Sequence, residues 1–172
     1  MGAKEFARLK KSLTKAGVWR CGATDPKNGK MGKDAFPLAK GRSYILGNQF
    51  RWRVDHWESG SARGRLLIAY HLGKQNYLAF LSVERGPKEY AIILCLEYHA
   101  DHPGWHVHTG TGPIREFAVG CARQRIFGIR IPRKGRYHRL GRGYEMSPIV
   151  AQNIAYKAFR IVDATATEDL FL

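Results

Sequence analysis

The sequence predicts an α+β domain: a central antiparallel β-sheet meander with an N-terminal helix and a C-terminal helix packed on it. Three observations carry this prediction. Between Gln49 and Ala100, runs of strand length alternate with short breaks containing Gly, Pro, Ser or Asn. A helical repeat with its own capping residue begins at Ser147. A chain of 172 residues that is 44% hydrophobic fits one basic domain, 1–172, with a sizeable core.

The strands are read in order. "FRWRVDHW" alternates Phe50, Trp52, Val54 and His56 with Arg51, Arg53 and Asp55, the period of a half-buried strand. A Ser-Gly-Ser break follows, then "RLLIAYHL", the turn-like "GKQN", "YLAFLSVE", the turn "RGPK" and "YAIILCLEYHA". Short connections of this kind join antiparallel neighbours. The last two runs are apolar throughout, which places them centrally with both faces covered. That requires a helix or a second layer across the sheet.

The N-terminal helix spans 3–16, with Phe6, Leu9 and Leu13 on one stripe. At the C-terminal end Ser147 caps, Pro148 fits the first turn, and "IVAQNIAYKAFRIVD" follows. At about 100° per residue, Val150, Ile154, Ala158, Ile161 and Val162 share the core face. Asn153, Tyr156 and Arg160 fall on the opposite, polar face. Residues 20–47 are rich in Gly, Pro, Asp and Lys and read as an extended loop or arm, either wrapping a substrate or solvated. Further on, 114–121 reads as a short helix and "IFGIRI" as another strand.

Charge narrows the function. Twenty-nine Lys and Arg against fourteen Asp and Glu leave a net charge of +15 and a pI near 10.1. Such self-repulsion is usually tolerated for a polyanionic partner. Nucleic acid, DNA or RNA, is the first candidate, with a nucleoprotein surface as a variant. A membrane partner is not expected, because no basic-rimmed apolar helix and no stretch of transmembrane length is found. Cys21, Cys95 and Cys121 have no CxxC spacing, which argues against a disulfide framework or a thiolate zinc site. The N-terminus is too polar for a secretory signal, so a cytoplasmic protein is expected. The tract "RKGRYHRLGRG" offers Arg133, Lys134, Arg136, Arg139 and Arg142 for phosphates and Tyr137 for stacking. Arg51 and Arg53 are further candidates for nucleic-acid contact.

The segment "YHADHPGWHVHTG" concentrates chemistry. Four of the seven histidines lie in its ten residues from His99 to His108. A type II turn at His102-Pro103-Gly104-Trp105 places Pro and Gly where that turn wants them. Extending the hairpin pairs Asp101 with His106 and His99 with His108. Directly opposed residues share a face, so Glu97, His99, Asp101, His106 and His108 project together, while Tyr98, Ala100 and Val107 project from the other side. A divalent metal (Mg, Mn or Zn) would organise such a patch, with His99, Asp101, His106 and His108 as the candidate ligands. A hairpin tip displaying hydrogen-bonded polar groups is the plain alternative.

"HADHPGWHVH" resembles the His-hydrophobe-His (HUH) motif of single-strand endonucleases, the group of relaxases, replication initiators and certain transposases. His106, Val107 and His108 match the core triplet, and His99 with Asp101 resembles the upstream lead-in of some relaxases. The resemblance implies a divalent metal held by His106 and His108, with His99 as third ligand, polarising a scissile phosphate. It implies a helix-borne tyrosine nucleophile, for which Tyr156 is the candidate and Tyr137 and Tyr144 the alternatives. The catalytic set it suggests is Tyr156, His106 and His108. Two other readings stand beside this one. The histidines could run metal-free general acid/base cleavage of RNA, as small toxin ribonucleases do. Alternatively, a basic β domain with Trp52, Trp57, Tyr70 and Tyr77 could bind nucleic acid without any chemistry.

Overall fold

The structure is a computed structural model that describes residues 19–22, 26–29, 31, 35–36, 46–87, 89–99, 104–113 and 146–163. Among these the chain is mostly sheet with a single helix. The strands are β1 (Trp19–Gly22), β2 (Lys27–Asn28), β3 (Phe50–Ser59), β4 (Ala62–His71), β5 (Asn76–Gly86), β6 (Glu89–His99), β7 (Gly104–Pro113) and β8 (Ile161–Asp163). The helix, α1, is Pro148–Phe159. All eight strands form one sheet in the order β7-β6-β5-β4-β3-β1-β8, with β2 also pairing with β3. The predicted four-strand meander is β3 to β6, and the histidine hairpin adds β7. Among the described residues only β1 and β8 run parallel.

Turn chemistry sets the meander. Ser59 pairs with Ala62, leaving Gly60 and Ser61 as a two-residue loop. Gly60 sits at φ 58°, the positive value wanted at the first central position of a hairpin turn that matches strand twist. One strand further, Gly64 lies beneath the Trp57 indole. A Cβ there would fall 1.9 Å from the Ser82 carbonyl oxygen. Only a glycine lets the indole cross and donate from Nε1 to that oxygen, at 3.0 Å. Beside it, the ladder shifts register between Leu81 and Ser82, so that Ile93 and Leu94 both enter the same core.

Both faces of the central strands are covered, as their apolar runs require. Tyr77 to Val83 on β5 and Ala91 to Leu96 on β6 are buried without a break. On one face α1 packs Ala151, Ile154, Ala155, Ala158 and Phe159 against Trp57, Leu66, Ile68, Tyr77, Ala79 and Leu81. On the other, Met31, Phe36 and Leu46 join Trp52, Val54, Leu67, Leu78 and Phe80 in a second cluster. These three residues come from the segment expected to be an extended arm. Its described apolar residues serve as core, and the Phe36 ring lies tilted against Phe80 at 6.4 Å between centroids.

The helix begins as predicted, with the Ser147 hydroxyl accepting from the Val150 N–H at 3.3 Å. It ends earlier than predicted. Arg160 takes the left-handed conformation (φ 56°, ψ 42°), and its N–H caps the Tyr156 carbonyl. Ile161 and Val162, assigned to the helical core face, are instead strand residues beside β1; their β-branched side chains suit that geometry. The predicted N-terminal helix, the short helix and strand after residue 113, and the basic tract lie outside the described residues.

Candidate metal centre

The histidine hairpin forms with a register different from the predicted one. His106 pairs with Glu97, His99 with Gly104, Cys95 with His108 and Tyr98 with Trp105, so 100–103 form the connection. Relative to the tight-turn register, the partner of His106 slides from Asp101 to Glu97. Trp105 explains the slip. In a turn at 102–105 its indole would stand at the tip. Here it is 8% exposed, in edge-on contact with Tyr77 at 5.2 Å and tilted against Tyr98 at 5.2 Å. Burying an indole among aromatics outweighs the Pro-Gly turn preference. The slip covers an even number of residues and therefore leaves each side chain on its predicted face.

Three groups converge. The Glu97 Oε2 oxygen lies 3.1 Å from His99 Nε2 and 3.4 Å from His106 Nε2. The two imidazoles lie 5.3 Å apart between centroids, tilted by 32°. Strand alternation puts Glu97 and His99 two residues apart on β6, and the cross-strand pair brings in His106 from β7. The other Glu97 oxygen, Oε1, accepts from the Cys95 thiol at 3.0 Å. The side chains are 29% (His99), 15% (Glu97) and 11% (His106) exposed, so the group lies at the surface without being fully solvated. Glu97, His99 and His106 together could hold a metal ion. Two imidazole nitrogens and one carboxylate oxygen with open positions is a recurrent donor set for catalytic metals.

Of the sequence-predicted ligands, His99 and His106 are brought together. Asp101 lies outside the described residues, and so does the side chain of His108. The carboxylate in the group is Glu97, which alternation placed on this face although it was not named as a ligand. The signal that could have singled it out is the i, i+2 spacing of Glu97 and His99 in one strand.

Tyr156 is not part of this group. It was expected on a polar helix face, but it is only 8% exposed and faces the sheet. Its hydroxyl donates to Asp55 Oδ2 at 2.9 Å. Asp55 is fully buried, and Arg53 donates from Nε to its other oxygen at 2.9 Å. Arg53 Nη1 in turn donates to Gln152 of α1 at 3.0 Å. Because the second face of β3 is also covered, its "polar" alternate residues are interior. Arg53 is therefore neutralised and buried, not displayed for phosphates. Arg51 is half-buried on the same face, hydrogen-bonded to the Tyr70 hydroxyl. Tyr156, Arg53 and Asp55 pack on the helix-covered face, whereas Glu97 and Cys95 share the opposite one. Arg133, Lys134, Arg136, Tyr137, Arg139, Arg142 and Tyr144 lie outside the described residues.

Burial governs the titrating groups nearby. It pushes the Cys95 thiol well above its ordinary range, and the adjacent Glu97 charge adds to the shift. Tyr77, fully enclosed and donating to the Ala151 carbonyl at 3.0 Å, is likewise raised, mainly by burial. A cavity of about 620 Å³ opens at the far end of the meander between the β3–β4 and β5–β6 turns. Its Arg63 and Glu84 are paired with each other at 2.7 Å. No protein-family model matches the chain, and neither a curated protein nor a solved structure is found to be similar to it.

Proposed function

We propose that the protein binds nucleic acid and cleaves phosphodiester bonds with a divalent metal held by Glu97, His99 and His106. The observation that carries this reading is the convergence of one carboxylate oxygen and two imidazole nitrogens on the half-open face of β6 and β7. The net charge of +15 supplies the reason for a polyanionic substrate. A metal there would neutralise nonbridging phosphate oxygens and polarise an attacking water. Of the HUH triplet only His106 is in the described group, so the resemblance is kept for His106 and the lead-in His99 alone. Tyr156 is tied to Asp55 on the other face, so the attack is assigned to water.

The test uses labelled single- and double-stranded DNA and RNA with Mn, Mg or Zn added. Cleavage is expected with the intact chain, and is expected to be lost in Glu97→Gln, in His106→Ala and with EDTA, while binding persists. Binding with no cleavage under any metal would leave a non-enzymatic nucleic-acid binder. A second reading draws on the hydrogen-bonding distance between Glu97 and both imidazoles without an ion. A carboxylate-oriented imidazole pair suits metal-free acid/base cleavage of RNA, and EDTA-resistant RNA cleavage would select it.

A further inference from the structure

We propose that Cys95 is a positioning residue for this centre, aiming the Glu97 carboxylate so that the group selects a zinc-class transition metal over magnesium. The inference rests on the reading that Glu97, His99 and His106 hold a metal. Cys95, Glu97 and His99 occupy alternate positions on β6, a central strand clamped between β5 and β7, so their spacing is fixed by backbone. The Cys95 side chain is fully buried, beneath the partly exposed Glu97. Its Sγ contacts Oε1 at 3.0 Å, while Oε2 is the oxygen that faces His99 Nε2 and His106 Nε2. One carboxylate oxygen is thus occupied by the thiol, and the other is turned toward the imidazoles. A carboxylate held in this way offers one oxygen, not a bidentate edge.

Two of the three donor spacings suit a small tetrahedral site, and the donor types set the metal class. Bond lengths of about 2.0–2.1 Å at tetrahedral angles separate ligand atoms by about 3.3 Å. The Oε2-to-nitrogen distances are 3.1 and 3.4 Å. Magnesium prefers oxygen donors and retains its waters, whereas imidazole suits zinc, cobalt and their neighbours. Orientation of ligands by an outer hydrogen bond commonly controls affinity in such sites.

The experiment measures binding of zinc, cobalt(II) and magnesium ions alone to the full chain, by competition with a chromogenic chelator, independently of any cleavage. Cys95→Ala is expected to weaken zinc binding by about tenfold to a hundredfold. Cys95→Ser, which restores a donor to Oε1, is expected to recover most of it, and circular dichroism checks that both variants fold. The cobalt(II) form of the unmodified chain is expected to lack a sulfur-to-cobalt charge-transfer band. Zinc affinity unchanged in Cys95→Ala overturns the positioning role. A charge-transfer band that Cys95→Ser abolishes overturns it differently, by making Cys95 a ligand; a band that survives comes from Cys21 or Cys121 and overturns the assignment of the metal to this group. Magnesium binding as tight as zinc overturns the metal class. No zinc binding by the unmodified chain overturns the metal centre itself. Tight zinc binding without nucleic-acid cleavage would leave this proposal standing and remove only the proposed activity.

Discussion

The two faces of the sheet each carry a carboxylate among aromatic and aliphatic neighbours, and they treat it in opposite ways. Under α1, Asp55 is sealed from solvent. Both its oxygens are engaged, one by the Arg53 guanidinium and one by the Tyr156 hydroxyl. On the other face Glu97 is met by a thiol and two imidazoles, and the group keeps some solvent contact. Arginine does not titrate in the physiological range and its planar fork locks onto a carboxylate, so the first arrangement suits architecture. Imidazoles exchange protons and metals readily, so the second suits binding or chemistry. Residue types alone would not separate these two acids. Their partners and exposure do.

Four changes would break or sharpen this contrast. The largest effect is expected for Asp55→Asn, which leaves the Arg53 cation buried without its counter-charge. A loss of about 3–5 kcal/mol in urea-unfolding stability is anticipated, and near-wild-type stability would show the helix-side pair to be dispensable. Next, Tyr156→Phe removes one donor to Asp55 and is expected to cost about 1–2 kcal/mol. The proposed nucleic-acid cleavage and metal binding should be unaffected; their loss would return Tyr156 to the site.

A smaller, pH-dependent effect belongs to Tyr77 on the helix side. Its folded pKa is raised, so above about pH 10 the unfolded chain releases a proton that the folded chain keeps. The contribution is complete below that pH and is lost as pH rises toward the folded value. Tyr77→Phe forfeits the hydrogen bond to Ala151, about 1 kcal/mol at neutral pH, but lacks this alkaline loss. The gap in stability between the two proteins should therefore narrow as pH climbs, and a constant gap would contradict the burial argument. The smallest stability effect is expected for Glu97→Gln, below about 1 kcal/mol in the absence of metal. The same variant should lose any rise in unfolding temperature on adding zinc. A large intrinsic destabilisation would make Glu97 an architectural acid like Asp55 and erase the difference between the faces.

The chain's own pattern determined much of the sheet. Alternation and apolar runs located β3 to β6, glycine and proline marked their turns, and Ser147 with Pro148 fixed where α1 starts, because these signals act over a few neighbouring residues. It also put Glu97, His99 and His106 on one face, since an even register slip preserves sidedness. Tertiary structure decided what local pattern does not encode. Trp105 chose its aromatic pocket over the Pro-Gly turn and so brought Glu97 opposite His106. Covering both faces of β3 turned Arg53 and Asp55 into an interior ion pair, and Asp55 drew Tyr156 inward from what looked like a polar helix face. Each of these outcomes depends on partners distant in the chain. Burial is a property of the assembled layers, and the free energy of packing an indole or satisfying a buried carboxylate exceeds the local preferences that a sequence displays.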